Sequence, residues 1–445
     1  MMKSVKRVLL FIIISIALQS LSYAQDYLDE SSKTGISLNA SFSYDMMEHN
    51  TDLRKLDVFR SSIASGSFDK SRLLIGTSII AIADYQHTNT DSKFAYLMRH
   101  PTSANSVGNN ASEIVLHSMQ MSLAGSVNDW IHIYGELWYN PEQSFGTGTI
   151  TSVDRNRIEL RKGIIMIANP NKFPVYLSLG KMDTPFGLTG SVNPFTNSTM
   201  WHAFGGLAYS GTIGIEKYGL NASFTAIQGG AQFRALNVPV DSTNVPSRLN
   251  NFAFDINYTI SQLEKANIKV GFSYMKGSAY VQDFPITHFS PGKKTNPAYS
   301  YYAQLRLDEK FLIQWSFAKT TDVWPGTQNP FPPLDIYEAT AVSSLSYGFK
   351  FDFLETPNIL YSLSGEFSNF RAGAEDSPWE RQNQLVAGLS AMYNSSSVIF
   401  LEIFSTKGYA PLNFISGGNF EDPGLTHSDR DASSIGFVIG VQGTI

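Results

Sequence analysis

Phe252-Ala253-Phe254-Asp255-Ile256-Asn257-Tyr258-Thr259-Ile260 changes chemistry at every step. Aromatic and aliphatic residues hold one parity; Ala, Asp, Asn and Thr hold the other. Strand side chains point alternately to opposite faces, so this segment has one apolar and one wet face. Ile268, Val270, Phe272 and Tyr274 repeat the pattern against Lys269, Gly271 and Ser273, as do Ile435, Phe437, Ile439, Val441 and Ile445 further on. The rhythm runs from about Arg72 onward. Repeated this often, it predicts an all-β transmembrane antiparallel barrel, with lipid outside and water inside.

The first residues supply an address. Lys3, Lys6 and Arg7 precede an apolar run from Val8 to Leu18, and Ser22-Tyr23-Ala24 fits a small-residue cleavage site. A run this short does not span a bilayer as a helix, so residues 1–24 read as a secretory signal peptide. Without those three cations the 33 basic residues fall to 30 against 38 acidic ones, which argues against nucleic acid as a partner. The absence of cysteine excludes disulfides and thiolate metal sites. Charged residues are only 16% of the chain, below the ~25% of soluble domains. A secreted propeller would show self-similar blades of about 40–50 residues, and no such repeat is found.

Connections alternate short and long. Short ones are Ser126–Asp129, Asn169–Lys172, Ser261–Lys265, Asp308–Lys310, Leu354–Asn358 and Asn394–Ser396. Long ones, rich in Pro, Gly, Asn and Ser, cover 86–112, 140–155, 183–206, 229–250, 276–298, 321–337, 369–383 and 406–433. Outer-membrane barrels have tight periplasmic turns and long external loops, so the expected site is the outer membrane of a Gram-negative bacterium. Eight long loops imply about sixteen strands over 71–445. Residues 25–70 read as a short periplasmic or lumen-associated segment. Ile36, Leu38, Ala40, Phe42 and Tyr44 also alternate, which keeps eighteen strands open.

No residue pattern announces catalysis, a metal or a cofactor. Asp183, Ser198 and His202 share one loop, but such loop residues are ordinarily solvated, and no enzyme is expected. The wet parity instead offers a pore lining: Tyr134 and Trp138 on one strand, Arg157, Glu159 and Arg161 on the next, then Lys269 and Arg306. Rings of charge on such a wall tune which solute passes. Lys162 falls on the lipid-facing parity, where a mid-bilayer cation costs roughly 2–4 kcal/mol, so it demands a bulge or an interfacial position. The loop entered by Lys181 and Asp183 carries Trp201 and His202. Strict parity turns Lys181 outward, whereas a Pro-Phe-Gly bend beyond it could redirect it. Folded inward, this apolar loop would constrict the pore; folded outward, it would be a lid.

Gly180-Lys181 with Thr184-Pro185-Phe186-Gly187 and Asn193-Pro194-Phe195-Thr196, after the turn Asn169–Lys172 and Tyr176-Leu177-Ser178-Leu179, resembles the LbtU-type siderophore porins. Val127-Asn128-Asp129-Trp130 and the stretch from Gly76 to Tyr85 are similar to that family too. The resemblance is clearest over about 70–230. It implies TonB-independent uptake of a ferric siderophore through the outer membrane; a general porin for small solutes is an alternative, and outer-membrane lipid is the partner of the barrel's outer face. The coiled-coil N-terminal segment of some members has no counterpart here, since 25–70 lacks sustained heptads. An adhesin or structural barrel remains the alternative, and the oligomeric state is open.

Overall fold

In the computed structural model the described residues are 35–48, 50–67, 73–94, 108–139, 158–228, 249–263, 265–280, 295–410 and 424–445. The proposed signal peptide lies outside them. The first eight long strands are β1 (Leu73–Thr88), β2 (Asn110–Ser126), β3 (Ile131–Tyr139), β4 (Ile158–Asn169), β5 (Phe173–Asp183), β6 (Leu207–Lys217), β7 (Leu220–Gln228) and β8 (Leu249–Leu263). The rest are β9 (Ala266–Met275), β10 (Ala298–Leu307), β11 (Phe311–Thr320), β12 (Ser343–Glu355), β13 (Ile359–Arg371), β14 (Arg381–Tyr393), β15 (Ser397–Tyr409) and β16 (Asp429–Thr444).

Each strand pairs antiparallel with its sequence neighbours, and β16 pairs with β1 from Ser434↔Thr88 to Thr444↔Ser78. The sheet is therefore a closed sixteen-stranded barrel without a free edge. Closure matters because lipid offers backbone groups no partner. Exposed Ile79, Leu137, Ile165, Leu179, Ile213 and Leu389 belong to the outward parity and form the apolar belt. We expect the purified protein to run faster on SDS gels before heating than after it, since the closed ladder resists detergent. Identical mobility, or a helix-dominated circular dichroism spectrum in detergent, would contradict the fold.

All six short connections fall at strand junctions, although β8 runs on to Leu263 and β12 to Glu355, so two of the turns are shorter than read. A seventh joins β6 to β7 through Tyr218 and Gly219, with φ of 53° and 82°. Two successive positive φ values define the tight hairpin turn that matches strand twist. The Tyr-Gly pair was its only signal in the sequence.

The eighteen-strand alternative is overturned by residues 36–44. Only Ile36 and Ser37 extend, pairing parallel with Leu73 and Leu74 at the start of β1. Asn39 then caps helix α1 (Ala40–Met47), its Oδ1 accepting from Phe42 N at 3.0 Å. A second helix, α2 (Lys55–Ala64), follows. Both lie inside the barrel. Phe42, Met46, Leu56, Val58, Phe59 and Ile63 pack with Leu74, Ala124, Tyr134, Ile164, Met166, Tyr176 and Met182 of the inner wall. Gly76 permits the approach of α1: a Cβ there would stand 2.2 Å from Ser43 Oγ. Asn171, in a short turn, donates to Ala64 O at 3.0 Å, so the end of α2 sits at the short-turn end of the barrel.

Candidate functional site

A β-bulge builds the first part of the site. Along β3 and β4, Leu137 faces Leu160 but Glu136 faces Lys162, so Arg161 is the extra residue. A bulge shifts side-chain parity by one position. Arg161 and Lys162 therefore both turn inward, which removes the conflict raised by Lys162. Lys162 is 1% exposed, its Nζ 3.4 Å from Glu136 Oε2, while Arg161 Nε lies 3.5 Å from Glu136 Oε1. Glu136 also accepts from Tyr134 Oη at 2.9 Å and from Gln120 Nε2 at 3.0 Å. The guanidinium of Arg161 stands 5.4 Å from the Trp138 ring.

The second part is the connection from β5 to β6, which folds into the barrel and runs along β9 to β15. Gly187 N donates to Ser273 Oγ at 2.9 Å, and Gln314 Nε2 donates to Gly190 O at 2.7 Å. Val192 N reaches Glu366 at 3.3 Å. Glu402, fully buried, accepts from Phe195 N at 2.6 Å and Thr196 N at 2.9 Å. Phe195 stacks on Phe400 at 5.4 Å. A short helix, α3 (Thr199–Phe204), starts at Ser198, whose Oγ accepts from Trp201 N at 3.1 Å. That hydroxyl serves as a cap.

The two parts meet at the far end of the helix pair. Arg54 donates to Gly187 O at 2.9 Å and pairs with Asp255 at 2.7 Å, over the Tyr302 ring. Asp255 also accepts from Ser273 and Tyr302. Gly190 lies against Thr51, where a Cβ would be 1.9 Å from the carbonyl oxygen. Between these contacts and the wall is a gap of about 90 Å³, bordered by Lys55, Arg161, Lys162, Asp183, Thr184 and Trp201 among others. On the short-turn side a wider cavity of about 790 Å³ lies between α2 and β4 to β9.

Tyr134, Trp138, Glu159 and Arg161 occupy the inward parity of β3 and β4, whereas Arg157 lies outside the described residues. Asp183 Oδ2 is 3.8 Å from Lys162 Nζ at the gap. Trp201 borders the gap, and the buried His202 packs edge-on against it at 5.3 Å. Lys269 pairs with Asp57 of α2 at 3.8 Å, and Arg306 pairs with Asp52.

Lys181 needs correction as a lining candidate. It keeps strict parity and stays on the outer face, opposite outward-facing Gly163 and beside Tyr209, with Nζ 2.9 Å from Leu160 O. The freed carbonyl at the bulge gives its ammonium a partner there. Arg54 was missed altogether. Its one signal was Asp255, a carboxylate at an inward strand position that required a counter-charge.

No protein-family model matches the chain. The barrel is similar to the anion-selective porin of Comamonas acidovorans, with a TM-score of 0.50 and 10% identity over 84% of this chain and 100% of that one. It is equally similar to OprB of Pseudomonas putida, with a TM-score of 0.50 and 7% identity over 83% and 94%. Such low identity speaks for the fold: a porin-like outer-membrane barrel. With its apolar belt, that fold places the chain in a Gram-negative outer membrane. A UPF0422 protein of Coxiella burnetii is 28% identical over 166 residues. That match covers 36% of this chain and 32%, about a third, of the relative's length.

Proposed function

We propose that the protein is a diffusion channel for small polar solutes, narrowed from one side by residues 184–206 and from the other by the helix pair. In this reading 71–445 is the channel wall and 25–70 a separate unit that occupies the lumen. The observation that carries it is the meeting of the two elements at Arg54–Gly187 and Thr51–Gly190, beside a gap of about 90 Å³. Tyr134, Trp138, Arg161, Asp183 and Trp201 would then line the passage. Uptake would follow the concentration gradient, independently of TonB.

Single-channel recording in planar bilayers tests the reading. Deleting Asn193 to Trp201 removes the amides held by Glu402 and should raise conductance. A wild-type protein with no measurable conductance would favour an adhesin or structural role instead.

Passage of a ferric siderophore is the narrower proposal. It draws on the motif resemblance, and on an aromatic and cationic lining able to stack on and pair with an anionic chelate. A drug-sized ligand fills roughly 300–1,000 Å³, so this reading requires the helix pair to leave the lumen. Labelled-iron uptake in low iron, in a deletion strain and its complement, tests it. Equal uptake of every siderophore tried, with small sugars or ions still crossing the purified barrel, would leave the general channel.

A further inference from the structure

At the long-loop ends of β11 to β15 the lipid-facing parity changes from apolar to cationic. β11 reaches Lys319 two residues after Phe317, β13 ends at Arg371, β14 begins at Arg381 and β15 carries Lys407 two residues before its end. One row of the ladder reads Lys319↔Ser343↔Arg371↔Arg381. Lys407 stands opposite Asn383, the next outward position of β14 after Arg381. Strands lie ~4.8 Å apart, so the cations spread over roughly 19 Å of wall. Nearer mid-wall the same face carries Phe367, Leu385 and Ile403, all exposed members of the apolar belt.

This face lacks its own counter-charge. No Asp or Glu occupies the outward parity of these five strands. Among the described residues no carboxylate comes within 4.0 Å of Lys319, Arg371 or Lys407. The acidic residues nearby belong to the 372–380 connection and to β16, and most are engaged there. Glu380 pairs with Arg381, while Asp376 and Asp431 pair with Arg430. Asp429 accepts from the amides of Asp431 and Ala432 at 2.9 and 3.1 Å, and Glu375 lies exposed in the connection. Arg371 and Arg381 therefore face each other directly with a carboxylate on one side alone. Like charges opposed in this way destabilise a sheet unless an anion stands between them.

We propose that the outer face of β11 to β15, at the long-loop end, docks a lipid bearing two or more phosphates. The phosphates accept from Arg371, Arg381 and Lys407, with Lys319 at the far side, and the acyl chains run along Phe367, Leu385 and Ile403. Arginine takes a phosphate through two parallel N–H donors, and lysine adds a point charge on a flexible stem. Acyl chains already cover the belt, so a phosphate on the same molecule reaches the cations without any further partner. Long loops face outward in outer-membrane barrels, which assigns the lipid to the outer leaflet. None of these side chains faces the lumen, so the surface is independent of conduction.

Native mass spectrometry of the full-length protein in non-ionic detergent, titrated with diphosphoryl lipid A, tests the surface. Saturable binding is expected, weakening as salt is raised because exposed charges are screened. Phosphatidylethanolamine, a zwitterion, should bind at least tenfold more weakly. Arg371→Gln and Lys407→Gln should each lower the affinity for diphosphoryl lipid A about fivefold, the usual share of one basic residue at an anionic lipid surface. Arg371→Lys should keep most of it. Lys217→Gln, on the outward parity of β6 at the short-turn end, should leave it unchanged. Heat-modifiable migration checks that each variant is folded. Equal affinity for the two lipids, binding indifferent to both Gln substitutions, or an equal loss with Lys217→Gln overturns the surface. Inorganic pyrophosphate binding as tightly as the lipid would overturn it too, since the apolar belt would then contribute nothing.

Discussion

Deleting residues 38–67 is expected to raise single-channel conductance several-fold, the largest functional change available in this molecule. The helix pair fills the interior beside β1 to β4 and abuts the inward loop at Thr51 and Arg54. Its seat is strong. Phe42, Met46, Leu56, Val58, Phe59 and Ile63 are all buried, and each such side chain contributes roughly 1.5–3 kcal/mol on burial. Even after the entropy of ordering is charged against that sum, spontaneous departure should be rare, so the intact protein should show small, steady currents. Arg54→Ala alone should loosen the far end without emptying the lumen, because the apolar seat persists. The measurement is conductance in a planar bilayer, with heat-modifiable migration confirming that the truncated barrel closes. Unchanged conductance after the deletion would mean that the helix pair does not obstruct the path.

Glu136→Leu should cost the most stability of any single change in the wall, about 3–5 kcal/mol, the loss typical when one partner of a buried ion pair is removed. Glu136 is fully buried and faces Arg161 and Lys162, which the bulge holds inside. Without the carboxylate, two buried cations and the Tyr134 hydroxyl lose their shared acceptor. Replacing Glu136, Arg161 and Lys162 together by Leu, Met and Met should restore most of the loss, since apolar groups of similar volume commonly match a buried pair. Denaturant titration in detergent, followed by gel mobility, gives both values. A single variant within about 1 kcal/mol of wild type would show that water in the lumen screens the cations.

The pleat made the barrel legible before any coordinates. Parity is local, so the run from Phe252 to Ile260 alone separated the lipid face from the lumen face. Lys181 obeyed that parity, although its neighbouring bend suggested otherwise. Lys162 broke it, and the break itself pointed to a bulge. Whether the extra residue was Arg161, and so which cations turned inward together, depended on how β3 sits against β4.

By itself, then, the sequence determined most of the wall: the strands, their faces and six of the seven short turns. Sixteen strands rather than eighteen was decided by how residues 36–44 fold. What fills the wall was decided only in three dimensions. The alternation of Ile36 to Tyr44 reads equally well as a strand, and only its fit against Gly76, Tyr134 and Met166 makes Ala40–Met47 a helix. Arg54 finds Asp255 201 residues away, and Phe195 finds Glu402 207 residues away. Local periodicity carries no record of such pairs. They form because a closed barrel brings its opposite walls and both inserted segments into one small space, where buried charges and amides must find partners.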